Sequence, residues 1–256
     1  MYYQLAQQSY LNGYDRENDR IKLKIIHTYG VVKQAEELAG RMHLSAEDTD
    51  LARLIALLHD IGRFEQLKRY DSFEPGTMDH AAYGVKVLFD EGMIRRFLPD
   101  DKWDSIIYTA IAHHSDYELP EISDPQTLLH AKLIRDEDKL DNCRVKLVDS
   151  TSTFINVSEE ELGTQNITQK VYETVFKNKC ILSADRVTQM DYWVSYIVYF
   201  FDINFKESFD IIAENDYLNR IIDRIPYSNP VTKEQMENIR VYMQNFINSH
   251  TNSQSF

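Results

Sequence analysis

Apolar residues in this chain recur at intervals of three and four, and no stretch alternates convincingly between apolar and polar positions. That period fits helices packed on one face and leaves no half-buried strand. The eight glycines and six prolines fall mostly between the periodic stretches, where they mark connections. The spacing predicts helices over about 17–42, 45–60, 79–90, 101–114, 125–148, 155–179, 184–201 and 231–249. Ile21, Ile25, Thr28, Val32, Ala35, Leu38 and Ala39 share one side of the first. Ser45, with Asp48 three residues on, reads as the N-cap of the second. Gly62 reads as the cap just past its end, and the polar stretch from Lys68 to Met78 reads as a loop. The expected fold class is all-α.

At 256 residues the chain buries enough surface to need no disulfide staples. Its two cysteines, Cys143 and Cys180, fit a reducing compartment. The N-terminus has no basic start followed by an apolar run, so the expected location is cytoplasmic. The most apolar segment, 193–201, is far shorter than the roughly 20 residues that span a bilayer. No repeat or low-complexity linker divides the sequence, so a single domain over 1–256 is expected. The net charge of −13 makes the chain a poor nucleic-acid binder. It does not exclude small anions, because bound divalent cations reverse the charge inside a pocket.

Five of the eight histidines fall on predicted helices or helix ends: His27, His59, His80 and the pair His113-His114. His59 is followed at once by Asp60, and Asp136-Glu137-Asp138 lies in a later helix. Neutral imidazole with carboxylate suits zinc, iron, manganese and similar cations. One ion can use His27, His59, Asp60 and Asp138. A second can use Asp60 as a bridge, with His80, His113 and His114. The run LeuLeuHisAspIleGlyArg at 57–63 sets His and Asp side by side after an apolar helix, which would expose both at its end. His43, His130 and His250 have no partners at useful spacing and read as structural or surface residues. Cys143 reads as a buried, inert thiol.

On these residues the chain resembles the HD-domain phosphohydrolases, whose pattern is a His, a His-Asp doublet and a distant Asp on a bundle of helices. His27, His59-Asp60 and the segment IleArgAspGluAspLysLeuAsp at 134–141 follow that order. The resemblance makes Asp138 the distant ligand, with Asp136 and Asp141 as fallbacks. The additional Asp79-His80 and His113-His114 are similar to the two-metal subgroup that includes the HD-GYP phosphodiesterases. Two departures argue against cyclic di-GMP: Arg63 stands where those proteins usually have lysine, and no GlyTyrPro triplet follows the histidine pair. The resemblance covers about 20–145. Residues 150–256 would form a helical extension packed on that bundle.

The resemblance implies one or two divalent ions (Mn, Fe, Zn, Ni, Co or Mg) and a small phosphorylated substrate, with a nucleotide favoured. Two ions activate water and clamp phosphate oxygens. Asp60 would orient or bridge the nucleophile, beside an Asp138 that repels it when no cation intervenes. His80 would either ligate the second ion or act as general acid. Arg63, and more weakly Lys139, would hold a phosphate. The aromatic C-terminal third reads as core, the alternative being a substrate cap or a homodimer interface. Two other functions fit the same ligands: an HD-type di-iron oxygenase, and a non-catalytic nucleotide sensor.

Overall fold

A computed structural model describes residues 2–74 and 76–251. The chain is 71% helical, and no strand occurs among the described residues, as the three-and-four spacing requires. None of the described helices is long and apolar enough to cross a membrane. The chain divides into two compact units, the first ending at Asp138 and the second beginning at Lys139.

In the first unit α1 (Tyr2–Leu11) precedes the long α2 (Asp19–Arg41), which is capped by the Asn18 side chain accepting from the amides of Arg20 and Ile21. Helix α3 (Ala46–Leu58) pairs with α2, and Ser45 caps it through the amide of Asp48. Next come α4 (Ile61–Tyr70), α5 (His80–Val85), which opens on an Asp79 cap, and α6 (Asp104–His113). Helix α7 (Pro125–Val148) supplies the unit's last residues. Leu11, Ile21, Phe64 and Leu67 form one apolar cluster beside Tyr10, Tyr14, Ile25 and Phe73.

Two local expectations change. The loop predicted from Lys68 starts only at Asp71, which ends α4 in the left-handed conformation at φ 45°. Gly62 does not cap a helix end. It lies in the first turn of α4, where a β-carbon would stand 2.1 Å from the carbonyl oxygen of His80 and 2.6 Å from the amide nitrogen of Gly84. Only glycine permits α4 and α5 to approach so closely.

In the second unit α8 (Thr151–Ile155) ends where the helix expected over 155–179 was to begin, and that stretch holds two short helices, α9 (Glu159–Thr164) and α10 (Gln169–Val175). Asn156 adopts the left-handed conformation at φ 64°, and the Ser158 side chain starts α9 by accepting from the amide of Glu161. Both residue types favour breaks and caps over helix interiors. Four helices follow: α11 (Gln189–Val198), α12 (Lys206–Glu214), α13 (Tyr217–Asp223) and α14 (Pro230–Thr251). Trp193, Phe200 and Phe209 are buried in this unit while Tyr192, Tyr196, Tyr199, Phe201 and Phe205 are half-buried, so the aromatic C-terminal third is core in part.

Candidate metal centre

The site is assembled in the first unit from the end of α3, the starts of α4 and α5, the end of α6, and the inner faces of α2 and α7. His59 follows the last turn of α3, and its Nδ1 lies 2.7 Å from the carbonyl oxygen of Ala56. His114 repeats this at the end of α6, with Nδ1 2.7 Å from the carbonyl oxygen of Ile111. A carbonyl only accepts, so each ring carries its proton on Nδ1 and presents a bare Nε2 when neutral. The doublet is not exposed as expected: His59 is fully buried, and Asp60 is 3% exposed. The chain turns directly from α3 into α4 at Asp60, which keeps both side chains inside.

The rings of His27, His59, His114 and His80 form a row, with successive centroids 5.7, 5.3 and 5.0 Å apart and each pair edge-on. Asp60 stands against the whole row and divides it. Its Oδ2 lies 3.5 Å from His59 Nε2 and 3.9 Å from His27 Nε2. Its Oδ1 lies 3.4 Å from His80 Nε2 and 3.8 Å from His114 Nε2. The result is two groups sharing one carboxylate: His27, His59 and Asp60, and Asp60, His80 and His114. Asp138 reaches the first group from α7, with Oδ1 2.9 Å from His27 Nε2 and 3.8 Å from His59 Nε2.

These residues fit divalent cations. Two ligand atoms bonded at about 2.1 Å to one ion in near-tetrahedral array stand about 3.4 Å apart, close to the separations here. The buried Nε2 of His59 makes no hydrogen bond. Nε2 of His80 and of His114 stand 3.1 Å apart, and Arg63 donates to His80 Nε2 at 2.8 Å. The lone pair of His80 Nε2 is thus taken by Arg63, and the bare Nε2 of His114 faces it at a separation that one cation could bridge once Arg63 gives way.

Electrostatics sort the protonation states. Burial opposes ionisation of Asp60, yet Lys24 and the imidazoles outweigh it and hold its pKa well below the usual range. Burial, reinforced by Arg63, holds His80 well below the ordinary imidazole value. For His59 burial lowers the pKa, but Asp60 and Asp138 overcome it and the net shift is upward. Asp138 is lowered despite burial, chiefly by its bond to His27.

The other expected residues fall at varied places. His113 joins neither group: its Nδ1 lies 2.6 Å from Asp116 Oδ2 and its side chain is 34% exposed. Successive helical residues point about 100° apart, so adjacent histidines diverge. Arg63 lies within the site, its Nη1 donating to Gln66 at 2.5 Å and its Nε 3.6 Å from Asp60 Oδ1. Lys139 pairs with Asp202 at 2.7 Å, and Asp141 binds Arg144 at 2.7 and 2.9 Å. Asp136 is fully buried. Glu137 is also fully buried and its carboxylate oxygens lack partners; burial, then Asp136, raises its pKa well above normal.

Three residues of the site were not anticipated. Lys24 is 8% exposed and donates to Asp60 Oδ2 in a very short contact. It supplies the cation that the expected Asp60–Asp138 repulsion left out. A lysine on the apolar side of α2, three residues from both Ile21 and His27, was the available signal. Buried Arg135 donates to the carbonyl oxygens of His113 and His114 at 2.9 and 3.4 Å, closing the C-terminus of α6. Gln66 ties Arg63 to the following loop, donating to the Glu74 carbonyl at 3.0 Å and to Thr77 Oγ1 at 2.8 Å.

Residues 25–143 match the HD domain family, and the matched stretch contains every member of both groups. The match supports an HD-domain assignment for this stretch, in a superfamily whose proteins are generally metal-dependent phosphohydrolases. No curated protein and no solved structure matches it.

Proposed function

We propose that the chain is a metal-dependent phosphohydrolase or phosphodiesterase acting on a nucleotide or another small phosphoester. The observation that carries this reading is the division of Asp60, one oxygen toward each of two histidine pairs. His27, His59, Asp60 and Asp138 would hold one divalent cation, and Asp60, His80 and His114 a second. Such cations supply Lewis-acid chemistry and activated water, which phosphoester hydrolysis needs.

The chain's own groups suit that task. Asp60 remains ionised at neutral pH, so it can accept a proton or orient one at its carboxylate. His80 remains neutral, which favours the ligand role over that of general acid. Arg63 presents a planar guanidinium beside the second group, a geometry that pairs with phosphate oxygens. The test joins metal analysis of the purified chain to a turnover screen over nucleotides, cyclic nucleotides and generic phosphoesters. Turnover removed by chelator and restored by manganese or zinc is expected. A chain without metal, or one inert toward every phosphoester, overturns the reading. Iron content with oxygen consumption would select the oxygenase instead.

A further inference from the structure

The two oxygens of Asp60 each meet two imidazoles, and each also meets one cationic side chain. Arg63 stands at Oδ1, on the side of His80 and His114. Lys24 donates to Oδ2, the oxygen that faces His27 and His59. The ammonium therefore holds the same carboxylate oxygen that the first group would offer to a metal. Lys24 leaves α2 one turn before His27, so its position follows from the helix that carries the first ligand. Neither Lys24 nor Asp60 is as much as a tenth exposed, which makes the pair a buried one.

A buried carboxylate is costly without a compensating charge. In the metal-free chain Lys24 supplies it, and a divalent ion arriving at Oδ2 supplies it instead. Two cations held against the same oxygen repel each other, so the ammonium and the ion oppose joint occupancy of Oδ2. The unbranched four-carbon stem of lysine lets the ammonium withdraw while the backbone of α2 stays in place. We infer that Lys24 is a positioning residue, an internal counter-cation that holds Asp60 in the metal-free protein and yields it on metal uptake. Its pair with Asp60 is thus an interaction of the empty site alone, and by linkage it weakens metal binding by whatever it contributes to the metal-free fold.

This inference rests on the metal reading above, and the experiment separates the two. Lys24→Met removes the charge and keeps most of the stem. Manganese and zinc are titrated into chelator-treated wild type and variant, and both are melted with chelator and with saturating metal. The expected result is metal binding about tenfold tighter in Lys24→Met. Its chelated form should melt lower than wild type while the metal-loaded forms melt closer together. Where the chelated variant does not fold, protein purified with metal is challenged with excess chelator. Slower release from Lys24→Met supports the inference, and release as fast as wild type or faster overturns it. Equal or weaker equilibrium binding by a folded variant also overturns it while leaving the metal reading intact. A wild type that takes up no metal overturns both.

Discussion

Gly62 lies against His80 so tightly that a single methyl group would enter the histidine's carbonyl oxygen. That contact sets the separation of α4 from α5, and with it the distance from Asp60 to His80. Gly62→Ala should therefore reverse the usual sign of a glycine-to-alanine change in a helix, which ordinarily stabilises by about 1 kcal/mol. Here the backbones must part, and a loss of about 2 kcal/mol or more is expected. Urea unfolding of the chelated protein measures it. An unchanged or raised stability would show that the contact constrains nothing.

The two adjacent histidines should behave differently. His114→Ala removes a member of the second group and should lower bound metal from two equivalents toward one. His113→Ala removes a half-exposed ring bonded to Asp116 and should leave the stoichiometry unchanged. Elemental analysis after exhaustive dialysis distinguishes them, and equal metal loss in both variants would refute the assignment.

Asp60→Asn should abolish turnover and also destabilise the metal-free chain. The repulsion between Asp60 and Asp138 expected from sequence would have predicted a gain. Lys24 reverses that sign, because the variant leaves its buried ammonium without the carboxylate it is bonded to. Breaking a buried pair costs about 3–5 kcal/mol. Adding Lys24→Met to Asp60→Asn should recover much of the loss, and a double-mutant cycle in chelator reads the coupling. Strict additivity would mean that the pair contributes nothing.

His130 offers a pH dependence away from the metal groups. Its Nε2 lies 3.2 Å from Asp48 Oδ1, its Nδ1 has no partner, and burial lowers its pKa against the pull of Asp48. Below pH 6.5 the unfolded chain takes a proton that the folded chain refuses. This contribution to stability is complete above pH 6.5 and lost as pH falls toward the depressed folded value. His130→Gln should lose less stability than wild type between pH 7.5 and 5.5. Parallel urea titrations in chelator at the two pH values decide it, and identical losses would remove His130 as the source.

Much of the first unit was legible in the sequence. The period of three and four located α2, α3, α6 and α7, and Ser45 announced its cap. The histidines and Asp60 stood out because imidazole and carboxylate are rare together on apolar helix faces. Lys24 and Gln66 did not, because a lysine or glutamine in a helix is ordinary until its burial is known. Gly62 was misread because a glycine after an apolar helix has the same local signature whether it ends that helix or admits a neighbour. The two breaks within 151–175 were hidden because apolar spacing continues across Asn156 and Gln165 while the backbone does not.

His59 and His114 each give their Nδ1 proton to a carbonyl oxygen three residues back in the same helix. The group that aims each ring is main chain, which every residue carries, so no side-chain substitution can delete it. Related sequences can therefore drift widely around these two histidines and keep both rings aimed. What they cannot vary is the place where each helix stops. One residue inserted in the last turn of α3 or α6 would swing the ring by about 100°. Selection on this site should show as fixed helix length ahead of each histidine, with no matching constraint on the neighbours' chemistry.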